Sequence, residues 1–169
     1  DTGPILLQKE VEIGPDDTLG SLYFNHLFPM GVAAMTEAVD LVRAETAPRI
    51  EQDPSGGSYE GWCTPDDVRI DWHQDVDQIY NMIRGANPQP GAWTTFAGKR
   101  LTVLDSSKSD NTDGDPGAVI AADASGITVA ANGGSICISR FKPQGGSKLS
   151  AAEMMEQSPL NPGDVLGVD

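Results

Sequence analysis

Residues 47–61, APRIEQDPSGGSYEG, hold two prolines and three glycines and follow neither a helical nor a strand repeat. They divide the 169-residue chain unequally, and the division limits what each part can fold into. Ahead of them stand one strand pattern and one helical pattern. A single strand with a single helix buries too little surface to fold alone, so this lead segment is expected to belong to a larger unit. Behind them the text turns into short strands and turns, enough for a small module with its own core.

The lead segment opens with Asp1-Thr2-Gly3 and runs into alternation over residues 4–13, read as a strand before Gly14-Pro15. Asp16 or Asp17 is placed to cap a helix, since a short carboxylate accepts from the free N–H groups of a first turn. Leu19, Leu22, Tyr23 and Leu27 fall on one helical face. Pro29 marks a kink or restart, and Val32, Met35, Val39 and Val42 carry an apolar stripe to about Ala44.

Past the divide, "VRIDW" reads as a short strand. Asp75 and Gln78 have the spacing of a capping box, and Val76, Ile79, Tyr80 and Ile83 form a helical face that Gly85 is expected to end. From Pro90 onward, "AWTTFAGKRLTVLDSS" predicts a hairpin about Ala97-Gly98. More strand-and-turn text follows in "GAVIAADASGITVAA" and "GGSICISRFKP", and a short helix capped by Ser150 comes after them. Strands this short and closely spaced suggest a small open barrel.

Charge narrows the function classes. The chain carries 11 basic and 25 acidic side chains, net −14, and residues 92–169 alone are net −3 with 6 and 9. Nucleic-acid binders draw affinity from neutralising phosphates, so such a partner is disfavoured unless Lys99, Arg100, Arg140, Lys142 and Lys148 gather into a patch. No apolar run approaches the ~18 residues that cross a bilayer, so no membrane partner is expected. Cys63 and Cys137 are isolated, which indicates neither a zinc knuckle nor a disulfide framework; a reducing cytoplasm is the default.

Several segments, in order, resemble the 10-formyltetrahydrofolate-using formyltransferases. "DTGPILLQKEVEIGPDDTLGSLY" is similar to that family's Asp-Thr-Gly turn, last long strand and following helix. "YEGWC" with "VRIDW" resembles its interdomain passage, and "IRGANPQPGAWT" its entry to the C-terminal barrel. "LFPMG", "YEG", "IRG" and "PGAWT" lie nearest the hydrolase domain of 10-formyltetrahydrofolate dehydrogenase. The resemblance implies that residues 1–46 are the C-terminal end of a doubly wound α/β catalytic domain, 47–61 a linker, and 62–169 the barrel-like C-terminal domain with short helices. It implies 10-formyltetrahydrofolate as formyl donor. Water is the expected acceptor, with a methionyl-tRNA amine as the alternative and an amino sugar as a third. A non-catalytic binding or assembly module is the reading from another class.

In that family an Asn, a His and an Asp act together, and the Asp opens the Asp-Thr-Gly turn. The resemblance therefore makes Asp1 the catalytic carboxylate, with the Asn and His on a loop upstream, so the chain is expected to be part of a longer one and inactive by itself. Asn25-His26 is not the family pair: the two are adjacent and fall in a helix. Neither His26 nor His73 has Cys, His or carboxylate partners at metal-ligand spacing, so no metal is expected. Trp62, Trp72 and Trp93 are read as packing residues rather than stacking platforms, and Arg84 as a cap of its helix C-terminus or an anion contact. The DSSKSDNTDGDPG run lacks the register of a calcium loop.

Overall fold

The computed structural model describes residues 3–168, which fall into two compact units that divide between Trp62 and Cys63. In the first unit Thr18 caps the helical stretch. Its side chain accepts from the Ser21 N–H at 3.0 Å while Ser21 Oγ accepts from the Thr18 N–H at 2.9 Å. Asp17, expected as the cap, serves one step out: it accepts from Ser21 Oγ and from the Gly14 N–H. Helix α1 (Leu19–Leu22) passes through a π-helical turn (Tyr23–Leu27) into α2 (Phe28–Arg43), with Pro29 in the first turn where its missing N–H costs nothing. No residue of this stretch is buried, and Phe24, Phe28, Val32, Met35 and Val39 are all exposed. Among the described residues no helix is long and apolar enough to cross a membrane.

The strand expected over 4–13 is corrected. Only Ile5 pairs, in an antiparallel bridge with Ile50, and the rest of the segment is extended without a ladder. Alternation specifies a strand only where a neighbouring strand takes up its N–H and C=O groups, and no described segment offers one beyond residue 50.

Among its described residues the second unit holds eight strands: β1 (Trp93–Phe96), β2 (Lys99–Val103), β3 (Ser106–Ser109), β4 (Val119–Asp123), β5 (Gly126–Ala131), β6 (Gly134–Ile138), β7 (Arg140–Pro143) and β8 (Leu149–Ser150). They form two four-stranded antiparallel sheets, ordered β1-β2-β7-β8 and β3-β6-β5-β4. The open barrel is thus corrected to two sheets meeting at a corner. Val103 opposes Phe141 and Ser106 opposes Ile138 in one continuous register, so β2-β3 and β6-β7 are a single ribbon bent at Leu104-Asp105 and Ser139. The Asp105 carbonyl holds the bend by accepting from the Ser139 and Arg140 N–H groups. At the β1–β2 turn Ala97 (φ 50°) and Gly98 (φ 71°) are both left-handed, the two-residue geometry that matches strand twist.

Among the described residues no ladder joins the outer strands of the two sheets to each other. A strap, residues 163–168, spans them instead. On the second sheet it exchanges bonds with Val119 through Gly163 and Asp164 (2.9 and 2.8 Å), and the Leu166 N–H donates to Gly117 O at 2.8 Å. On the first sheet the Gly167 N–H donates to Thr95 O at 2.9 Å, while Thr95 Oγ1 donates to Val168 O at 3.0 Å. Beneath the strap the buried Trp72 indole donates to Thr94 Oγ1 at 3.0 Å.

Helix α3 (Val76–Ala86) lies against β3 and β6 and buries Val76, Ile79, Tyr80, Ile83 and Ala86, the spacing of one helical face. Asp75 caps it by accepting from the Asp77 N–H, and the helix runs through Gly85 to a cap at Asn87. Gly85 meets nothing within 4 Å and has an ordinary φ, so nothing at that position stops the helix. Helix α4 (Ala151–Gln157) carries the expected Ser150 cap, made reciprocal by Glu153.

The caps set an acid limit. Asp67 is held below its ordinary value by the Thr64 hydroxyl and N–H, Glu153 by the Ser150 N–H and hydroxyl, and Asp123 by Ser125 and the Gly126 N–H. With folded values below unfolded ones, the folded state binds fewer protons, so this stability is fully present above about pH 4–5 and drains away as pH falls through the depressed values. Urea midpoints are expected to be flat from pH 7 to 5 and to decline below 4. Carboxyl NMR titrations of Asp67 and Glu153 at ordinary values would contradict this.

Candidate functional site

The sequence places its catalytic candidate at Asp1, which lies outside the described residues. The structure does describe what holds the chain just after it. The Ile5 and Ile50 backbones exchange two hydrogen bonds, 2.8 and 3.0 Å, and Gln52 Nε2 donates to the Gly3 carbonyl at 2.7 Å. Residues 3–7 lie along α2 over a cleft of 530 Å³ whose walls include Leu7, Gly31, Ala34 and Met35. Small residues at 31, 34 and 38 let the extended chain approach the helix. Nothing in the sequence singles out Gln52, because its partner lies 49 residues away across a stretch without periodicity.

Asn25 and His26 sit in the exposed π-helical turn, away from this cleft. His73 is exposed; its N–H donates to the Asp71 carboxylate at 3.0 Å and its carbonyl accepts from Asn132 Nδ2. Of the three tryptophans, Trp72 is a core residue, whereas Trp62 is 96% exposed at the boundary between the units. Trp93 is half-buried, donating from Nε1 to the Pro65 carbonyl at 2.6 Å. Arg84 lies in the last turn of α3, where its Nε donates to Asn81 Oδ1 at 2.9 Å.

Part of the sequence's basic group is gathered on one sheet face. Trp93, Thr102 and Lys142 stand directly opposite one another across β1, β2 and β7, with Arg100 two residues from Thr102 on the same face. Strand alternation sends Leu101, Val103 and Phe141 the other way, into the core, and takes Lys99 with them. The Arg100 guanidinium lies 4.4 Å from the Trp93 ring centre and that of Arg69 5.5 Å from it. Arg140, on the same face, pairs with Asp105 at 3.2 Å. An aromatic face holds a guanidinium in place and leaves its edge donors outward, so this face can receive phosphates or carboxylates.

Comparison with known proteins follows the same division. Residues 63–159 match the family model described as "Formyl transferase, C-terminal domain". The cytosolic 10-formyltetrahydrofolate dehydrogenase of Xenopus tropicalis is 44% identical over 119 residues, 69% of this chain and 13% of that protein. The methionyl-tRNA formyltransferase of Desulforamulus reducens is 33% identical over 171 residues, 100% of this chain and 54% of that protein. The chain thus spans between about an eighth and about half of the length of these relatives. Among solved structures, HypX from Aquifex aeolicus in complex with tetrahydrofolic acid superimposes with a TM-score of 0.71 at 18% identity, over 99% of this chain and 32% of that one. An N-formyltransferase from Helicobacter canadensis in complex with folinic acid and dTDP-3-aminofucose gives 0.58 at 19% identity, over 81% and 50%. At such identities these two establish likeness of fold.

Proposed function

Because the chain belongs to the formyl transferase C-terminal domain family, we propose that it works within an enzyme that removes the formyl group of 10-formyltetrahydrofolate, with water as acceptor. In this reading residues 1–46 are the end of the catalytic domain and residues 62–169 the C-terminal domain. The observation that carries the reading is the 44% identity to the Xenopus tropicalis dehydrogenase across most of the chain. The uncovered apolar face of α1 and α2 supports it, since a stripe of Phe24, Phe28, Val32 and Met35 needs an apolar neighbour that the first unit does not supply.

The chemistry assigns Asp1 its role. A water oxygen adds to the formyl carbon and the carbonyl electrons move onto oxygen. Collapse of that tetrahedral oxyanion restores the carbonyl, breaks the bond to N10 of the folate, and N10 takes up a proton. A carboxylate beside an imidazole orients it and relays the proton from the attacking water. Asp1 is the carboxylate in this proposal; the imidazole and amide donor stand upstream of it, outside this sequence.

One observation favours a second reading, formyl transfer to the amine of methionyl-tRNA. The face around Trp93, Arg100 and Lys142 concentrates cations on an otherwise acidic chain. The complete polypeptide that contains this sequence, assayed for tetrahydrofolate release with and without initiator methionyl-tRNA, separates the two. Release without tRNA at full rate supports hydrolysis. Dependence on tRNA, with binding that weakens steeply between low and physiological salt, would replace it with transfer. No release under either condition would overturn both.

A further inference from the structure

We propose that the face of the β1-β2-β7-β8 sheet turned away from the core binds the γ-glutamyl tail of the folate substrate through Arg100 and Lys142; this rests on the folate reading given above. The four strands, WTTF, KRLTV, RFKP and LS, hold four basic residues and no acidic one, in a chain with 25 acidic side chains and 11 basic. Strand parity puts Arg100, Arg140 and Lys142 on the outer face and Lys99 on the other. Arg140 is paired with Asp105. Arg100 and Lys142 form no ion pair with the described residues.

Arg100 is held ready for an anion. Trp93 is fixed by its bond to the Pro65 carbonyl at 2.6 Å, and the Arg100 guanidinium lies 4.4 Å from the centre of its ring. Stacked in this way the guanidinium keeps its edge N–H donors for a carboxylate and loses little further freedom on binding one. The ring also supports the Arg69 guanidinium, at 5.5 Å. It is a seat for cations, not an open platform on which a base would stack.

Spacing and charge choose the tail. Lys142 opposes Thr102, and Arg100 stands two residues along β2, a diagonal pair about 7–8 Å apart at the backbone. A γ-linked glutamate adds about five backbone bonds against three in an ordinary residue, so its free α-carboxylates recur about every 6 Å. Consecutive carboxylates therefore reach both cations. A long polyanion would also meet the field of a chain at net −14, whereas a short tail stays within about one Debye length, about 8–10 Å, of the two cations.

The test uses the complete polypeptide that contains this sequence, with 10-formyltetrahydrofolate carrying either a single glutamate or a pentaglutamyl tail. In the wild type, KM for the pentaglutamate is expected about tenfold below that for the monoglutamate, the scale of one or two charge-assisted hydrogen bonds. Arg100→Gln combined with Lys142→Gln should bring that ratio near one. Lys99→Gln, the same loss of charge on the opposite face, should keep it. Partial unfolding lowers activity on both substrates alike and leaves the ratio unchanged. Acetylated penta-γ-glutamate, titrated by calorimetry, should bind the wild type and Lys99→Gln but not the double variant. Equal KM values in the wild type, or a ratio that survives the double variant, would overturn the inference and leave the folate reading standing. So would a ratio lost equally in Lys99→Gln, as a general effect of charge. A short RNA that binds more tightly than the peptide, and that the double variant no longer holds, would overturn it by giving the face to nucleic acid. No tetrahydrofolate release from either substrate would overturn the folate reading and the inference with it.

Discussion

A chain cut after Pro162 is expected to lose the folded state of its second unit at 25 °C. The cut removes the bonds that residues 163–168 make to Gly117, Val119 and Thr95, each with a net value of about 0.5–1.5 kcal/mol. It also removes the burial of Leu166, 3% exposed, for about 1.5–3 kcal/mol more. Trp72, whose indole lies against the strap at Gly167, becomes open to water. Together these are comparable to the roughly 5–15 kcal/mol that keeps a domain folded. Near-UV circular dichroism reports the change, because Trp72 is fixed between the strap and Thr94. Leu166→Ala is the milder control, expected to cost about 2–5 kcal/mol in urea unfolding. A truncated chain that melted where the intact one does would mean that the strap rides on a domain already complete.

The second large effect is at the corner. Phe141 is fully buried, pairs with Val103 on one side and Leu149 on the other, and sits next to the bend held by Asp105. Phe141→Ala is expected to destabilise the second unit by about 3–5 kcal/mol, the transfer and cavity cost of a large aromatic. Phe141→Leu, which fills most of the space, should cost less. Urea unfolding of residues 63–169 measures both. A loss for Phe141→Ala of about 1 kcal/mol, within the ordinary range of point substitutions, would show that the two sheets do not share one core.

The elements that were legible in the sequence are those specified by neighbours along the chain. The α3 stripe, the turn at Ala97-Gly98 and the Ser150 cap each involve residues within one or two turns of one another, and each stands where its pattern put it. The misreadings share a different cause. Residues 4–13 alternate as a strand should, yet pairing requires a partner that no local pattern announces. The two-sheet corner depends on a register continuing from one strand pair into the next, which periodicity does not encode. The strap, residues 163–168, carries no periodic pattern of its own, and its bonds go to residues about 45 and 70 positions earlier.

The site divides along the same line. Asp1 enters as a proposal through a resemblance of ordered segments, and owes nothing to spacing. Gln52 was invisible because a Pro/Gly-rich stretch hides which of its residues returns to the start of the chain. The stacking of Arg69 and Arg100 on Trp93 was equally hidden, though the basic residues themselves had been noted: which cations share a face is decided by strand parity, and Lys99 fell on the other side.

The strap has a consequence for synthesis as well as for stability. It covers Thr95 on β1 and Gly117–Val119 at the start of β4, so one segment occupies an open edge of each sheet. Those residues leave the ribosome after every strand they cover. Until they do, the second unit cannot complete its fold, and its strand segments keep unpaired N–H and C=O groups, the template on which strands of separate chains add to one another. A pause that kept residues 163–168 inside the ribosome would therefore hold the nascent module in its self-adhesive form, and the emergence of those six residues would end that hazard on both sheets at once.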